Sequence, residues 1–143
     1  MANSTTFYTL PDGRRAVDVT ENKTFLTSES GIVQVVKADA LTLTAPASAT
    51  AKAGYTLTVM NGGVPKTSGP TGSGDNGSAA VTITMASGDG VTGNGFTAAV
   101  NKGPVNTKAT ANVGDEIQLV AAGTNDALAY NVQRVKGIWA RLA

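Results

Sequence analysis

The chain has no histidine and no cysteine. Without histidine it lacks the side chain most often used near neutral pH as a general base or metal ligand. Without cysteine it has no disulfide, no thiolate metal site and no thiol nucleophile. Charge is also scarce. Charged residues make up 15% of the chain and the net charge is +1, so there is no field to gather nucleic acid or anionic lipid. Aromatic residues are 5%, with a single tryptophan, too few to wall a sugar-binding cleft. No apolar run approaches the roughly 18 residues that a membrane-spanning helix needs. Residues 1–9 lack the basic patch and apolar stretch of a signal peptide. These absences predict a protein made in a cell's cytoplasm that is not an enzyme and has no cofactor, metal, nucleic-acid or membrane partner.

What the chain does have is small neutral residues and an apolar period of two. Apolar and polar residues alternate, or apolar residues run on, over 14–20, 32–37, 40–44, 55–60, 81–85, 116–121, 129–135 and 137–142. Threonine on the polar face, as in Leu41-Thr42-Leu43-Thr44 and Val81-Thr82-Ile83-Thr84, suits a half-buried strand: its branched carbon fits the pleat and its hydroxyl stays solvated. Turn formers separate these runs, among them Pro11-Asp12-Gly13, Asn61-Gly62-Gly63 and Gly93-Asn94-Gly95. At 143 residues the chain suits one domain. The pattern predicts an all-β fold, an antiparallel β-sandwich or jelly-roll-like domain over 11–143. A flexible arm precedes it over 1–10, and a mobile glycine-rich loop interrupts it at about 65–78.

The motifs that invite chemistry have plainer readings. Gly72-Ser73-Gly74-Asp75-Asn76-Gly77 has the spacing of a dinucleotide-binding turn, but it precedes a strand pattern where a helix is required. Asp75, Asp89 and Asp126 sit in turns, where aspartate bonds its own backbone, and no calcium-loop run surrounds them. A serine nucleophile would need a lysine as base, and no S-x-x-K appears. Arg134, Lys136 and Arg141 form a basic group suited to guarding strand edges or pairing with an acidic partner protein. Trp139 fits either the core or a subunit interface stacked near Arg141.

The stretch from Gly114 through Ile117, Leu119 and Gly123-Thr124-Asn125, followed by Tyr130-Asn131-Val132, resembles the strands that close small β domains of tailed-bacteriophage head decoration (cement) and fibre proteins. Leu41-Thr42-Leu43-Thr44-Ala45-Pro46, followed by Gly54-Tyr55-Thr56-Leu57-Thr58-Val59-Met60-Asn61, resembles their first hairpin. The resemblance spans 40–142 apart from the middle loop, and it departs where many relatives carry tryptophan in place of Tyr130. It implies a homotrimeric structural protein on the capsid exterior of a virion, bound to the major capsid protein and bracing neighbouring capsomers. Within that implication, the uncharged arm residues Ala2, Asn3, Ser4, Thr5, Thr6, Phe7 and Tyr8 are expected to contact the capsid by adding a strand to a neighbour's sheet. Trp139, Arg141 and Arg134 are expected at the subunit interface. The alternative is a phage fibre or adhesin-type domain that binds a host receptor or glycan through its loops.

Overall fold

The structure, a computed structural model, describes residues 3–63 and 79–142. Strands run over Tyr8–Thr9 (β1), Arg15–Val19 (β2), Lys23–Thr24 (β3), Val33–Val36 (β4), Leu41–Thr44 (β5), Thr56–Asn61 (β6) and Val81–Thr84 (β7). They continue over Val91–Thr92 (β8), Pro104–Asn106 (β9), Glu116–Ala121 (β10), Tyr130–Lys136 (β11) and Ala140–Arg141 (β12). A 3-10 turn at Thr27–Glu29 and one helical turn at Ser48–Ala51 complete the described elements. Each of the eight runs picked out by periodicity contains a strand. The four strands without such a run, β1, β3, β8 and β9, are two or three residues long, too short to show a period. The loop expected at about 65–78, with its glycine-rich motif and Asp75, lies outside the described residues.

The strands form two sheets, a seven-stranded one ordered β1-β2-β4-β6-β10-β11-β8 and a five-stranded one ordered β12-β9-β7-β5-β3. The all-β sandwich is therefore as expected, but its pairing is mixed rather than antiparallel throughout. From β2 to β7 the chain alternates between sheets: β2, β4 and β6 lie in one, β3, β5 and β7 in the other. Each crossing reverses the chain, so two crossings restore its direction and make same-sheet neighbours parallel. β2–β4, β4–β6, β3–β5 and β5–β7 all pair this way. A jelly roll, built from antiparallel Greek keys, does not describe this order. Antiparallel pairing dominates later, where β10 lies between β6 and the hairpin partner β11.

The topology explains the burial. β4 is an interior strand buried on both faces, which is why 32–37 reads as a nearly continuous apolar run. Its Val36 joins the main core with Val19, Phe25, Leu43, Leu57, Val59, Val81, Ile83, Ile117, Leu119 and Tyr130. Its Val33 and Val35 join a second, smaller cluster with Ala16, against which Leu10 and Met60 pack. Arg14 reaches β10, three places from β2 in the strand order, and grips Glu116 in two hydrogen bonds of 2.7 and 2.8 Å. All four edge strands, β1, β8, β12 and β3, have only two residues, which limits uncontrolled strand pairing at the rims.

Candidate functional site

The N-terminal segment folds back on its own chain. Asn3 uses both ends of its amide: Oδ1 accepts from the backbone N–H groups of Thr20 (2.8 Å) and Glu21 (3.0 Å), and Nδ2 donates to the carbonyls of Glu21 and Asn22 (both 3.3 Å). β1 then pairs antiparallel with β2, Tyr8 opposite Ala16. Tyr8 donates to Asp18 Oδ1 at 2.6 Å, and the Arg15 guanidinium lies 4.9 Å over the Phe7 ring. In this chain the segment thus adds its strand to its own sheet, where a strand for a neighbour's sheet was expected. Phe7 and Tyr8 still expose 39% of their surface each, which leaves an aromatic rim beside an arginine. Ala2 lies outside the described residues.

Burial of the Tyr8 phenol, with the hydrogen bond to Asp18 and its charge, pushes its pKa up from 10.0 to about 12. Because the folded value lies above the unfolded one, Tyr8 docking stabilises the fold fully below pH 10.0 and ceases to do so as pH rises towards about 12. Tyr55 and Tyr130 are pushed up as well, chiefly by burial. Phenolate absorbance of the native protein is therefore expected to stay flat through pH 10–11. A tyrosine titrating at its ordinary value would mean that the N-terminal segment is undocked.

Asn3, Ser4, Thr5, Lys23, Leu26 and Glu29 border a cavity of about 270 Å³ between this segment and the rim of the five-stranded sheet. Lys23 and Glu29 are 9% and 8% exposed, and Lys23 Nζ lies 3.0 Å from Glu29 Oε1. The same Nζ donates to Glu29 Oε2 at 3.3 Å and to Gln34 Oε1 at 2.8 Å. Gln34 projects from β4 and is fully buried. Its Nε2 has no hydrogen-bond partner among the described residues. An orphaned buried donor costs about 1–3 kcal/mol. Rotating the amide does not help, because it would set the NH2 against the ammonium. Periodicity did not single out this trio; the signal in the sequence is one glutamine inside Val33-Gln34-Val35-Val36.

At the other end of the chain, Trp139 is 9% exposed, packs into the main core and donates through Nε1 to the Lys136 carbonyl at 3.1 Å. Its edge, with Asn94, Phe96 and Arg141, lines a cavity of about 160 Å³. Arg134 is not part of that lining. It lies on β11 opposite Gln118, and its charge reaches Asp12, whose carboxyl is held below its ordinary range mainly by hydrogen bonds from Arg14. Trp139 and Arg141 thus meet at one cavity, which Arg134 does not line. No family model, curated protein or solved structure matches this chain.

The aspartates in turns serve the backbone. Asp89 is fully buried, accepting from the Ser48 N–H at 2.8 Å and from Asn125 Nδ2 at 2.9 Å. Asp126 accepts from the Leu128 N–H and from Thr124 Oγ1. Asp115, 4% exposed, accepts from Asn106 Nδ2 and the Asn112 N–H. Each carboxylate accepts at least two hydrogen bonds from the protein itself and so helps to hold a loop.

Proposed function

We propose that this chain is a structural virion protein that binds the outer surface of an assembled capsid and stabilises it by bridging capsomers. The observation that carries the reading is the aromatic rim at the N-terminal edge, Phe7 and Tyr8 beside Arg15 on a two-residue strand. Aromatic residues with arginine are the usual anchors of protein interfaces. The low charge and the resemblance described above support the same setting. Stabilisation is thermodynamic: a protein that binds only the assembled shell favours it by mass action, and many equivalent sites multiply the effect.

Leu10 packs against the Val33–Val35 cluster, so removing the whole arm would disturb the fold. The cleaner test replaces Phe7 and Tyr8 together by alanine. Co-sedimentation with purified empty capsids is expected to fall at least about tenfold, since two anchors at roughly 1 kcal/mol or more each suffice for that loss, while solution mass and circular dichroism stay unchanged. Undiminished binding by the double variant would refute the role of this edge.

The cavity beside Trp139 favours one second reading, a fibre or adhesin-type domain that holds a host glycan against Phe96, Trp139 and Arg141. A glycan array separates the two. A cement protein is silent on it, and an adhesin loses its signal in Arg141→Ala.

A further inference from the structure

The trio beneath the N-terminal segment has the parts of a bond-forming site: a buried amine, a buried primary amide and a carboxylate touching the amine. We propose that Lys23 and Gln34 become joined by an intramolecular isopeptide bond, with Glu29 as the catalytic proton carrier. The reading is independent of what the protein binds. Two observations carry it. Lys23 Nζ sits 2.8 Å from Gln34 Oε1, so the amine is held against the carbonyl it would attack. Gln34 Nε2, the group that would leave, is buried and has no hydrogen-bond partner among the described residues.

The step balances without an oxidant or co-reactant. Glu29, whose Oε1 lies 3.0 Å from Lys23 Nζ, takes a proton from the ammonium. The free amine attacks Cδ of Gln34, forming the Cδ–Nζ bond. Collapse of the tetrahedral adduct breaks the Cδ–Nε2 bond. Of the three ammonium protons one stays on the new amide, and two pass through Glu29 to the departing nitrogen, which leaves as ammonium. Lys23 and Glu29 both line the 270 Å³ cavity, which provides the way out. Glu29 then accepts a hydrogen bond from the new amide N–H.

The product would be a staple. Lys23 lies on β3, at the rim of the five-stranded sheet, and Gln34 on β4, inside the seven-stranded one, so the bond would tie the two sheets together. In a chain without cysteine this is a covalent cross-link available from the residues present.

Intact mass of the denatured wild-type protein tests it. The expected mass lies about 17 Da, one ammonia, below that of the sequence, and peptide mapping is expected to find a branched peptide joining Lys23 to Gln34. Lys23→Arg and Glu29→Gln are expected to keep the full mass. A wild-type protein of full mass overturns the proposal. So does a loss that persists in Lys23→Arg, which would mark ring closure at an Asn-Gly pair such as Asn94-Gly95. The branched peptide is read on wild-type protein, so a folding defect in either variant does not confuse the result.

Discussion

Replacing Asn61 with alanine is expected to lower the unfolding free energy by about 3–5 kcal/mol, read from urea denaturation. Asn61 ends β6, is fully buried and uses every hydrogen-bonding position of its amide. Its Oδ1 accepts from the N–H groups of Gly63 and Ala79, both at 3.0 Å. Its Nδ2 donates to the Ala79 carbonyl at 2.7 Å and to Asn106 Oδ1 at 2.8 Å. Gly63 and Ala79 are the described residues on either side of 64–78, so one side chain clamps both ends of that segment. Asn106 passes the network on, donating to Asp115 Oδ2 at 3.1 Å and to the Ile138 carbonyl at 2.9 Å. Alanine leaves these partners in a dry interior with nothing in exchange, and an unsatisfied buried group costs more than a hydrogen bond gains. Asn61→Asp sharpens the test. It keeps the shape but turns two donors into acceptors facing the Ala79 and Asn106 oxygens, so it is expected to be as damaging as alanine. A loss under about 1 kcal/mol in both variants would show that the network contributes little.

The second large effect is expected at Gly103, just before β9. A Cβ there would overlap the carbonyl oxygen of Ile83 on β7 and press on Met85 Sδ at 3.3 Å. The Gly103 carbonyl also accepts the Leu142 N–H at 2.8 Å, so the glycine is held between β7 and the end of the chain. The Met85 side chain can give way, but the Ile83 carbonyl is backbone and cannot swing aside. Gly103→Ala should therefore push β9 off β7 and cost about 3 kcal/mol or more. Gly95 is the control. Its φ is +86° but a Cβ there meets nothing within 4 Å, so Gly95→Ala should cost only the left-handed strain of about 1–2 kcal/mol. Thermal melts of the two variants compare space with conformation directly. Equal shifts would mean that β9 can yield to a Cβ at Gly103 without leaving β7.

These two residues show how unevenly the structure could be read in advance. Asn61 and Gly103 look like ordinary turn residues in Asn61-Gly62-Gly63 and Lys102-Gly103-Pro104, and nothing in their neighbours along the chain announces a network or a close approach. Their roles come from residues 18 to 45 positions away for Asn61 and from β7 for Gly103. Gln34 and Glu29 were silent for the same reason, since their partner Lys23 lies on a two-residue strand that no periodicity marks. The N-terminal segment read as flexible because it is small and polar. Its anchor is Asn3, whose amide meets backbone groups 17 to 19 residues on. Trp139 is the opposite case: both of its readings were available from Ile138-Trp139-Ala140-Arg141, and folding puts the ring in the core with its edge on a cavity.

The amino-acid order alone determined where the long strands lie and that two apolar faces must meet, because side-chain alternation is a local property with a period of two. It did not determine direction. Whether a strand returns beside its predecessor or crosses to the opposite sheet depends on which partner buries more surface, a comparison between distant segments that no window of sequence contains. That choice made β2 to β7 an alternating stack with parallel neighbours, and it brought Lys23, Glu29 and Gln34 together across the two sheets.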